Sequence, residues 1–389
     1  MFTIQTIGKI SDIIQKELPT ESYRIAMEDA SPDAAIVRSA SMHEMKAPPS
    51  LLAVARAGAG TNNIPVKAYT KQGIAVFNTP GANANAVAEL VILGMLLSGR
   101  KVIPGIDWVR TLKGKEDVPA LVEKGKGQFI GPELRGKTLG VIGLGAIGVL
   151  VANAAAAGLG MKVIGLDPYV SISHAWALSR AVTRAQTLEE MLPLCDFVSI
   201  HVPLTDKTRH MMNASRFAQM KPGAHLLNFS RAELVEQAAL AEALSAEKLA
   251  LYVTDFPTGE LVENPQVICI PHLGASTPES EENCAVMAAS SLHRYLQDGS
   301  IVNSVNLPDM LLSEPEGYRL QIIHDNVPGI VAQISSIISQ KSVNIINMLN
   351  KSRDEIAVTV LELSDKPSES MIHGLLDIPQ VRRARVIHL

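Results

Sequence analysis

Three polar side chains follow predicted strands in the second half of the chain: Arg231, Glu260 and His272. In an open parallel sheet, ligands bind beyond the carboxyl ends of the strands, so residues at these positions are candidates for chemistry. Histidine transfers protons near neutral pH, a neighbouring carboxylate orients its ring, and the planar guanidinium of arginine binds a carboxylate. The set is suited to proton transfer at a hydroxyl group beside a carboxylate. Taken singly, the same residues are ordinary surface or capping residues.

A glycine-rich segment, Gly143-Leu144-Gly145-Ala146-Ile147-Gly148, has the pattern G-x-G-x-x-G. An apolar strand precedes it, a helix-compatible run follows, and a second strand ends at Asp167, about 20 residues downstream, as in the dinucleotide-binding fingerprint. We expect Gly143 to allow the turn, Gly145 to admit a pyrophosphate, and Gly148 to let helix and strand pack closely. Asp167 is expected to bind the adenine ribose and repel a 2′-phosphate, which favours NAD over NADP. The alternative is a glycine-rich turn in another α/β fold.

The composition is that of a globular protein. Of 389 residues, 47% are hydrophobic and 19% are charged, and the net charge is -4, with no basic stripe for nucleic acid or an anionic membrane. The three cysteines lack metal-ligand spacing, so we predict reduced thiols and no metal site. No apolar run reaches membrane-spanning length, and the N-terminus does not resemble a signal peptide. These features favour a cytoplasmic protein.

Alternating apolar and helix-like segments predict two domains with parallel sheets. The strands predicted before the glycine-rich segment lie at 34–37, 51–54 and 74–77. The strands predicted from that segment onwards lie at 139–142, 162–166, 197–200, 225–229 and 267–270. Helices are predicted at 84–98 and 280–296, and a loop at 113–136.

The C-terminal part is predicted to be a detachable module. Residues 306–317 contain two prolines and several acidic residues, which is typical of a linker. Residues 318–389 have the strand and helix rhythm of a ferredoxin-like fold. The predicted fold class is therefore α/β, with two Rossmann-like or flavodoxin-like parallel-sheet domains and a ferredoxin-like α+β domain. The predicted domains are 1–97 plus 281–308 for the substrate, 98–280 for NAD, and 318–389 for regulation.

Three motifs resemble those of the D-isomer-specific 2-hydroxyacid dehydrogenases, in that family's order. They are N-x-S-R ending at Arg231, D-F-P-x-x-E ending at Glu260, and P-H-L-G-x-S-T around His272. The resemblance covers nearly the entire chain. It implies that Arg231 binds substrate, that Glu260 pairs with the histidine, and that His272 donates and accepts the proton. The family often has one more residue between the aspartate and the phenylalanine of the second motif.

The same resemblance implies further contacts with NAD, in loops that follow strands. The expected contacts are His201, Val202 and Pro203 beside the adenosine, Ser230 and Asp255 near the nicotinamide, and Gly274 and Ala275 near its carboxamide. His201 is also a rival catalyst. No acidic partner or substrate motif follows it, so we interpret it as a structural loop residue.

Two arginines in the first domain indicate a phosphorylated substrate. Arg38 and Arg56 end neighbouring predicted strands, and the backbone N–H groups of Gly58, Ala59 and Gly60 form a concavity suited to a carboxylate. The segments resemble the V-R-S and R-A-G-x-G-x-D-N motifs of family members that act on 3-phosphoglycerate. Asn62 replaces the usual aspartate. The alternative is that both arginines are ordinary surface cations.

The C-terminal module resembles an ACT domain, a regulatory fold that binds amino acids. By this resemblance, His324, Asn326 and Asn344 would contact L-serine between paired modules. A dimerisation module without a ligand is the alternative. In either case we expect a homo-oligomer, a dimer or a tetramer.

The resemblances together imply NAD-dependent oxidation of 3-phospho-D-glycerate to 3-phosphohydroxypyruvate, the first step of L-serine biosynthesis. One alternative is a glyoxylate, hydroxypyruvate or 2-oxoglutarate reductase of the same family. Another is a non-catalytic regulator that senses NAD. The arginine pair and the C-terminal module disfavour the first, and the intact set of Arg231, Glu260 and His272 disfavours the second.

Overall fold

The structure is a computed structural model that describes residues 1–387. The chain forms two compact units: unit 1 contains Met1–Asn83 and Pro278–Leu389, and unit 2 contains Ala84–Thr277. This division differs from the predicted domains because residues 84–97 group with unit 2. Within residues 1–387, no helix has the length and apolar character needed to cross a membrane, and no cluster of three or more potential metal ligands is found.

Unit 1 begins with a five-stranded parallel sheet. Its strands are β1 (Phe2–Ile7), β2 (Tyr23–Ala26), β3 (Ala34–Val37), β4 (Ala53–Arg56) and β5 (Ala75–Phe77). The order β2-β1-β3-β4-β5 is that of flavodoxin-like sheets. Helix α1 (Val66–Lys71) joins β4 to β5. Strands β3 and β5 are buried along their whole length, which explains their continuous apolar sequences.

Unit 2 contains a seven-stranded parallel sheet with the Rossmann arrangement. Its strands are β6 (Thr138–Ile142), β7 (Lys162–Leu166), β8 (Val182–Arg184), β9 (Phe197–Ile200), β10 (Ala224–Asn228), β11 (Leu249–Thr254) and β12 (Val267–Cys269). The order β12-β11-β10-β9-β6-β7-β8 changes direction between β6 and β9. Ligands of such sheets bind beyond the carboxyl ends of the strands, at this switch point.

Nine helices of unit 2 flank or precede this sheet in the described part of the chain. They are α2 (Ala84–Arg100), α3 (Val102–Arg110), α4 (Val118–Gly125), α5 (Ala146–Asn153), α6 (Ile172–Ala177), α7 (Leu188–Met191), α8 (Ala214–Gln219), α9 (Gln237–Ser245) and α10 (Gly259–Glu263). The loop predicted at 113–136 is wrong in its middle, where α4 lies. The Asp117 side chain caps α4 by accepting from the Ala120 N–H. The helix is too short to show a clear apolar period.

The chain returns to unit 1 through α11 (Pro278–Gln297), which packs on β3, β4 and β5. The C-terminal module then forms a four-stranded antiparallel sheet with two helices. Its elements are β13 (Tyr318–Asp325), α12 (Ile330–Gln340), β14 (Ile345–Arg353), β15 (Ile356–Leu363), α13 (Glu369–Leu376) and β16 (Val381–Ile387). The sheet order β14-β15-β13-β16 and the alternation of strands and helices confirm the predicted ferredoxin-like fold.

The segment predicted as a linker, 306–317, is partly core. Leu307 and Met310 are fully buried, and Met310 forms an antiparallel bridge with Ile301. The Asn306 side chain accepts from the Val76 N–H at 2.8 Å and donates to the Ile74 carbonyl at 2.9 Å. Because these bonds replace missing sheet partners of β5, the start of the segment is fixed to unit 1.

The module that was predicted to be detachable packs against the other elements of unit 1. One face of its sheet is covered by α12 and α13, whereas Ile323, Val358 and Val360 on the other face share a core with Tyr295 of α11. Arg385 donates to the Tyr295 carbonyl, and its guanidinium lies 4.1 Å from the centroid of the Tyr295 ring. A sheet with two apolar faces needs a cover on each, and unit 1 supplies the second.

Candidate active site

The glycine-rich turn of unit 2 has the geometry of a dinucleotide-binding loop. Gly143 follows β6 with φ of +93°, and a Cβ there would lie 2.6 Å from the His201 carbonyl oxygen. A Cβ on Gly148 would lie 1.9 Å from the Gly143 carbonyl oxygen. Side chains are therefore excluded at both positions. Around Gly145 nothing lies within 4 Å of a built Cβ, so the backbone at the start of α5 is open to a ligand.

Asp167 is held rigidly at the end of β7. Its Oδ2 accepts from the Leu144 N–H and its Oδ1 from the Tyr169 N–H, both at 2.8 Å. The carboxylate is thus tied to the glycine-rich turn itself. Each oxygen retains a second lone pair, which is what a ribose hydroxyl needs from an acceptor.

The loop after β9 lies against the same turn. His201 is half-buried, and its Nε2 lies 2.9 Å from the Ser199 hydroxyl oxygen. Burial lowers the pKa of His201 to about 4, so the ring is neutral at physiological pH. Its Nδ1 is buried and has no hydrogen-bond partner within residues 1–387. Val202 would contact a side chain at Gly143, which places this loop beside the turn.

The polar residues at the ends of β10, β11 and β12 meet at one edge of the sheet. Arg231 is exposed and donates from Nη1 to the Ser230 carbonyl at 2.6 Å, while the Ser230 hydroxyl donates to the Ile200 carbonyl at 2.7 Å. His272 is exposed, and its ring meets the Phe256 ring edge-on with centroids 5.1 Å apart. Because all strands of this sheet are parallel, Arg231 and His272 lie at the same edge of the sheet as the glycine-rich turn.

Asp255 is the acidic residue that the structure places in this group. It is 2% exposed, and burial raises its pKa above the ordinary value of 3.8, while the charges of His272 and Arg231 act in the opposite direction. Its Oδ1 has no partner within the described chain. A Cβ on Gly274 would lie 3.6 Å from Asp255 Oδ2, so the backbone after His272 passes beside this carboxylate.

Glu260 is not paired with His272 in this structure. It lies exposed in the first turn of α10, which Thr258 caps by accepting from the Leu261 N–H. No ion pair or hydrogen bond of the Glu260 carboxylate occurs among residues 1–387. Catalytic contacts often tighten only when substrate is bound. The family resemblance implies only a nicotinamide contact for Asp255, whereas the structure adds an electrostatic interaction with His272.

The arginines of unit 1 are brought together as a pair. Arg38 follows β3 and Arg56 ends the neighbouring strand β4, and Arg56 Nε donates to the Arg38 carbonyl at 3.1 Å. A Cβ on Gly58 would lie 2.0 Å from Arg56 Nη1, so the guanidinium folds over this glycine. Arg38 also forms an ion pair with Glu281 at 2.6 Å. Ala59 is exposed, and its carbonyl accepts from the Asn78 amide.

The three residues predicted to bind serine do not meet within one chain. His324 is buried, with Nε2 bonded to the Thr359 hydroxyl and Nδ1 to the Asp325 carbonyl. Asn326 follows β13, and Asn344 precedes β14. Both strands pair antiparallel with β15, so they run in the same direction and these two asparagines lie at opposite ends of the sheet.

The residues of unit 2 fit NAD. The open backbone at Gly145 suits a pyrophosphate, and the buried, unpartnered Asp255 Oδ1 suits an amide donor such as the nicotinamide carboxamide. Consistent with this, residues 93–274 match the NAD-binding domain of the D-isomer-specific 2-hydroxyacid dehydrogenases. The chain belongs to this family and is an NAD-dependent dehydrogenase.

The relatives refine this class. The chain is 34% identical to D-3-phosphoglycerate dehydrogenase of Haemophilus influenzae, over 97% of this chain and 91% of that protein. It is 34% identical to the enzyme of the same name from Escherichia coli, over 85% of this chain and 80% of that protein.

Solved structures of dehydrogenases have a similar fold. NAD⁺-bound 3-phosphoglycerate dehydrogenase of Entamoeba histolytica has a TM-score of 0.61 and 27% identity, covering 78% of this chain and 98% of that chain. D-mandelate dehydrogenase of Rhodotorula graminis shares the fold, with a TM-score of 0.66 and 24% identity, covering 80% of this chain and 98% of that chain.

The position of Asp167 predicts the choice of cofactor. NADP is expected to give a kcat/KM at least about a hundredfold below that of NAD, because placing like charges together costs several kcal/mol. Asp167→Asn keeps the shape of the side chain and removes its charge, so it should reduce the ratio of kcat/KM for NAD to kcat/KM for NADP. Asp167→Glu keeps the charge and should still prefer NAD. Initial rates with both cofactors measure the ratio. Equal use of NAD and NADP by the unaltered protein contradicts the contact with the ribose.

Proposed function

We propose that the protein oxidises D-3-phosphoglycerate to 3-phosphohydroxypyruvate with NAD, the first step of L-serine biosynthesis. The proposal rests on one observation. Arg231, Asp255 and His272 lie at the carboxyl edge of the parallel sheet, and the glycine-rich turn lies at the same edge. The similarity to enzymes named D-3-phosphoglycerate dehydrogenase along almost the whole chain supports the substrate.

The chemistry is divided among these side chains. His272 takes the proton of the substrate's C2 hydroxyl, and Arg231 binds the carboxylate and polarises the developing carbonyl. When bound at the glycine-rich turn, NAD would supply the acceptor for the hydride that leaves C2. The negative charge of Asp255 stabilises the imidazolium that forms on His272. In the reverse direction, His272 returns the proton to the carbonyl oxygen.

Glu260 is proposed to orient His272 once substrate is bound. Glu260 lies in the first turn of α10, a helix of only five residues that Thr258 caps. Such a short helix has little stability of its own, so its movement towards His272 costs little free energy. Asp255 then has two tasks, accepting from the nicotinamide carboxamide through Oδ1 and stabilising the charge on His272.

We propose Arg38 and Arg56 as ligands of the substrate phosphate. Changing either to alanine is expected to raise the KM for 3-phosphoglycerate by roughly tenfold to a hundredfold, the scale of a lost charge-assisted hydrogen bond. The KM for D-glycerate should hardly change. Arg24→Ala, an exposed arginine paired with Asp29 in the same unit, is the control. If both substrates are affected equally, the arginines act only on the structure.

A homo-oligomer is proposed from the exposed apolar surface of α3. Val102, Ile106 and Val109 are 40%, 47% and 47% exposed. A row of large apolar side chains on one helix is typical of an interface between subunits. Light scattering of the native protein and of Ile106→Glu tests it, and a monomer in both cases contradicts it.

L-serine is proposed as a feedback effector, supported by the ferredoxin-like module and its resemblance to amino-acid-binding domains. A serine titration of the initial rate tests inhibition, and an unchanged rate up to millimolar serine contradicts it.

The cytoplasm is the proposed compartment, since Cys195, Cys269 and Cys284 are all free thiols.

A further inference from the structure

A cavity of about 310 Å³ lies in unit 1 beside the ion pair of Arg38 with Glu281. Arg38 Nη1 lies 2.6 Å from Glu281 Oε1, and both residues line the cavity. The two side chains are 31% and 42% exposed, so a ligand can reach them from solvent. A carboxylate of the chain itself therefore occupies an arginine that is proposed to bind the substrate phosphate.

The backbone of Arg38 is fixed independently of this ion pair. Its carbonyl oxygen accepts from Arg56 Nε at 3.1 Å and from Asn63 Nδ2 at 3.2 Å. Asn63 Nδ2 also donates to the Ala40 carbonyl at 2.7 Å, so the segment after β3 is held at two points. Because the backbone does not depend on Glu281, Arg38 can exchange one anion for another without local unfolding.

Glu281 lies in the first turn of α11. One turn later, Ala285 is 2% exposed and belongs to the same core as Ala57, which follows β4. This packing fixes the start of the helix, so Glu281 leaves Arg38 by rotation of its own side chain. The positive end of the helix dipole stabilises a carboxylate in the first turn, including one that has left its arginine.

We propose that Glu281 is an internal competitor of the substrate phosphate, which it precedes on Arg38 in the free protein. This inference rests on the proposed function of Arg38. A phosphate monoester has a charge of about −2 near neutral pH and three acceptor oxygens, whereas Glu281 offers a single negative charge and two oxygens. Ion pairs between partly exposed side chains are weak, so the phosphate displaces Glu281 at small cost.

The competition has a consequence for specificity. A substrate with a phosphate must displace Glu281 from Arg38, whereas a substrate without one leaves the ion pair intact. Glu281 therefore lowers the affinity for phosphorylated ligands and has no effect on unphosphorylated ones. It also returns to Arg38 as the phosphorylated product leaves, so that the guanidinium is not left unpaired.

The kinetics of Glu281→Gln test the proposal, because this variant keeps the shape of the side chain and removes its charge. The KM for 3-phosphoglycerate should fall by about two- to fivefold, the range of a weak ion pair, and the KM for D-glycerate should not change. Glu282→Gln is the matched control. Glu282 is exposed, lines the same cavity and forms no ion pair within residues 1–387, so both KM values should remain native.

A double-mutant cycle separates competition for Arg38 from a general effect of charge. In the Arg38→Ala background, Glu281→Gln should no longer lower the KM for 3-phosphoglycerate, because the carboxylate has no arginine to occupy. An equal decrease in this background would show long-range repulsion and would overturn the proposal. A higher KM in Glu281→Gln alone would show that Glu281 orients Arg38 for the substrate, which also overturns it.

Inorganic phosphate gives a second readout that does not need catalysis. At constant ionic strength, set with potassium chloride, phosphate should raise the melting temperature more for Glu281→Gln than for the unaltered protein, and least for Arg38→Ala. The same dependence in the unaltered protein and Glu281→Gln overturns the competition. If this difference is present but 3-phosphoglycerate yields no NADH, the proposed substrate fails and the competition stands.

Discussion

His272→Ala is expected to lower kcat by at least about 100-fold, the usual scale for loss of a general acid–base group. The loss should follow because no other described side chain is both exposed at the end of β12 and in electrostatic contact with Asp255. Binding of NAD, measured by fluorescence titration, should change little, since the glycine-rich turn and Asp167 are untouched. His373→Ala, which removes an exposed histidine from α13, serves as the matched control.

A near-normal kcat for His272→Ala would move the proton transfer elsewhere. His201 is the alternative to examine, but burial lowers its pKa to about 4 and its Nε2 is engaged by Ser199. A full loss in His201→Asn with retention in His272→Ala would reverse the assignment made here.

A chain that ends at Leu312 is expected to lose the folded state of unit 1. The truncation removes Ile323, Val358 and Val360 from the core that they share with Tyr295 and Met310. Burial of each large aliphatic side chain contributes about 1.5–3 kcal/mol, and a whole domain is stable by only about 5–15 kcal/mol. Limited proteolysis, circular dichroism and solubility measure the result.

Single substitutions test the same contact if the truncated chain cannot be purified. Ile323→Ala should destabilise unit 1 by about 2–5 kcal/mol in denaturant unfolding, whereas Leu376→Ala, at a position 44% exposed, should have little effect. A truncated chain with the melting temperature and solubility of the full protein would show that the module is detachable after all.

The glycine-rich turn could be predicted from sequence because steric clashes exclude any side chain at two of its positions. Backbone oxygens lie within 2.6 Å of the Cβ positions of Gly143 and Gly148, so only glycine fits. Spacing alone then located Asp167, since β7 must run beside β6. The candidate residues Arg231 and His272 also lie just after strands, as expected, because parallel neighbouring strands end at one edge of the sheet.

The environment of Asp255 could not be predicted in the same way. The two residues whose charges affect its pKa, Arg231 and His272, follow other strands. Their positions relative to Asp255 depend on the loops after these strands, which sequence patterns do not define. Glu260 shows the same limitation, since its spacing from Asp255 matched a motif while its side chain points to no described partner.

The sequence of β15 indicates that the C-terminal module packs against another part of the protein. Strand β15, Ile356–Leu363, is buried at every position, and its sequence IAVTVLEL lacks the strict alternation of a sheet with one wet face. Apolar residues on both faces of a strand in an antiparallel sheet indicate that each face is covered. The prolines at 308 and 315 are typical of a linker, but the segment that contains them begins with buried residues.

The most direct test of the proposed activity is the rate of NADH formation by the native protein with NAD and a panel of D-2-hydroxy acids. D-3-phosphoglycerate should give a kcat/KM at least about tenfold above D-glycerate, D-lactate and D-2-hydroxyglutarate, because only its phosphate engages Arg38 and Arg56. Comparable or higher kcat/KM with an unphosphorylated acid, or no NADH with any member of the panel, would contradict the account.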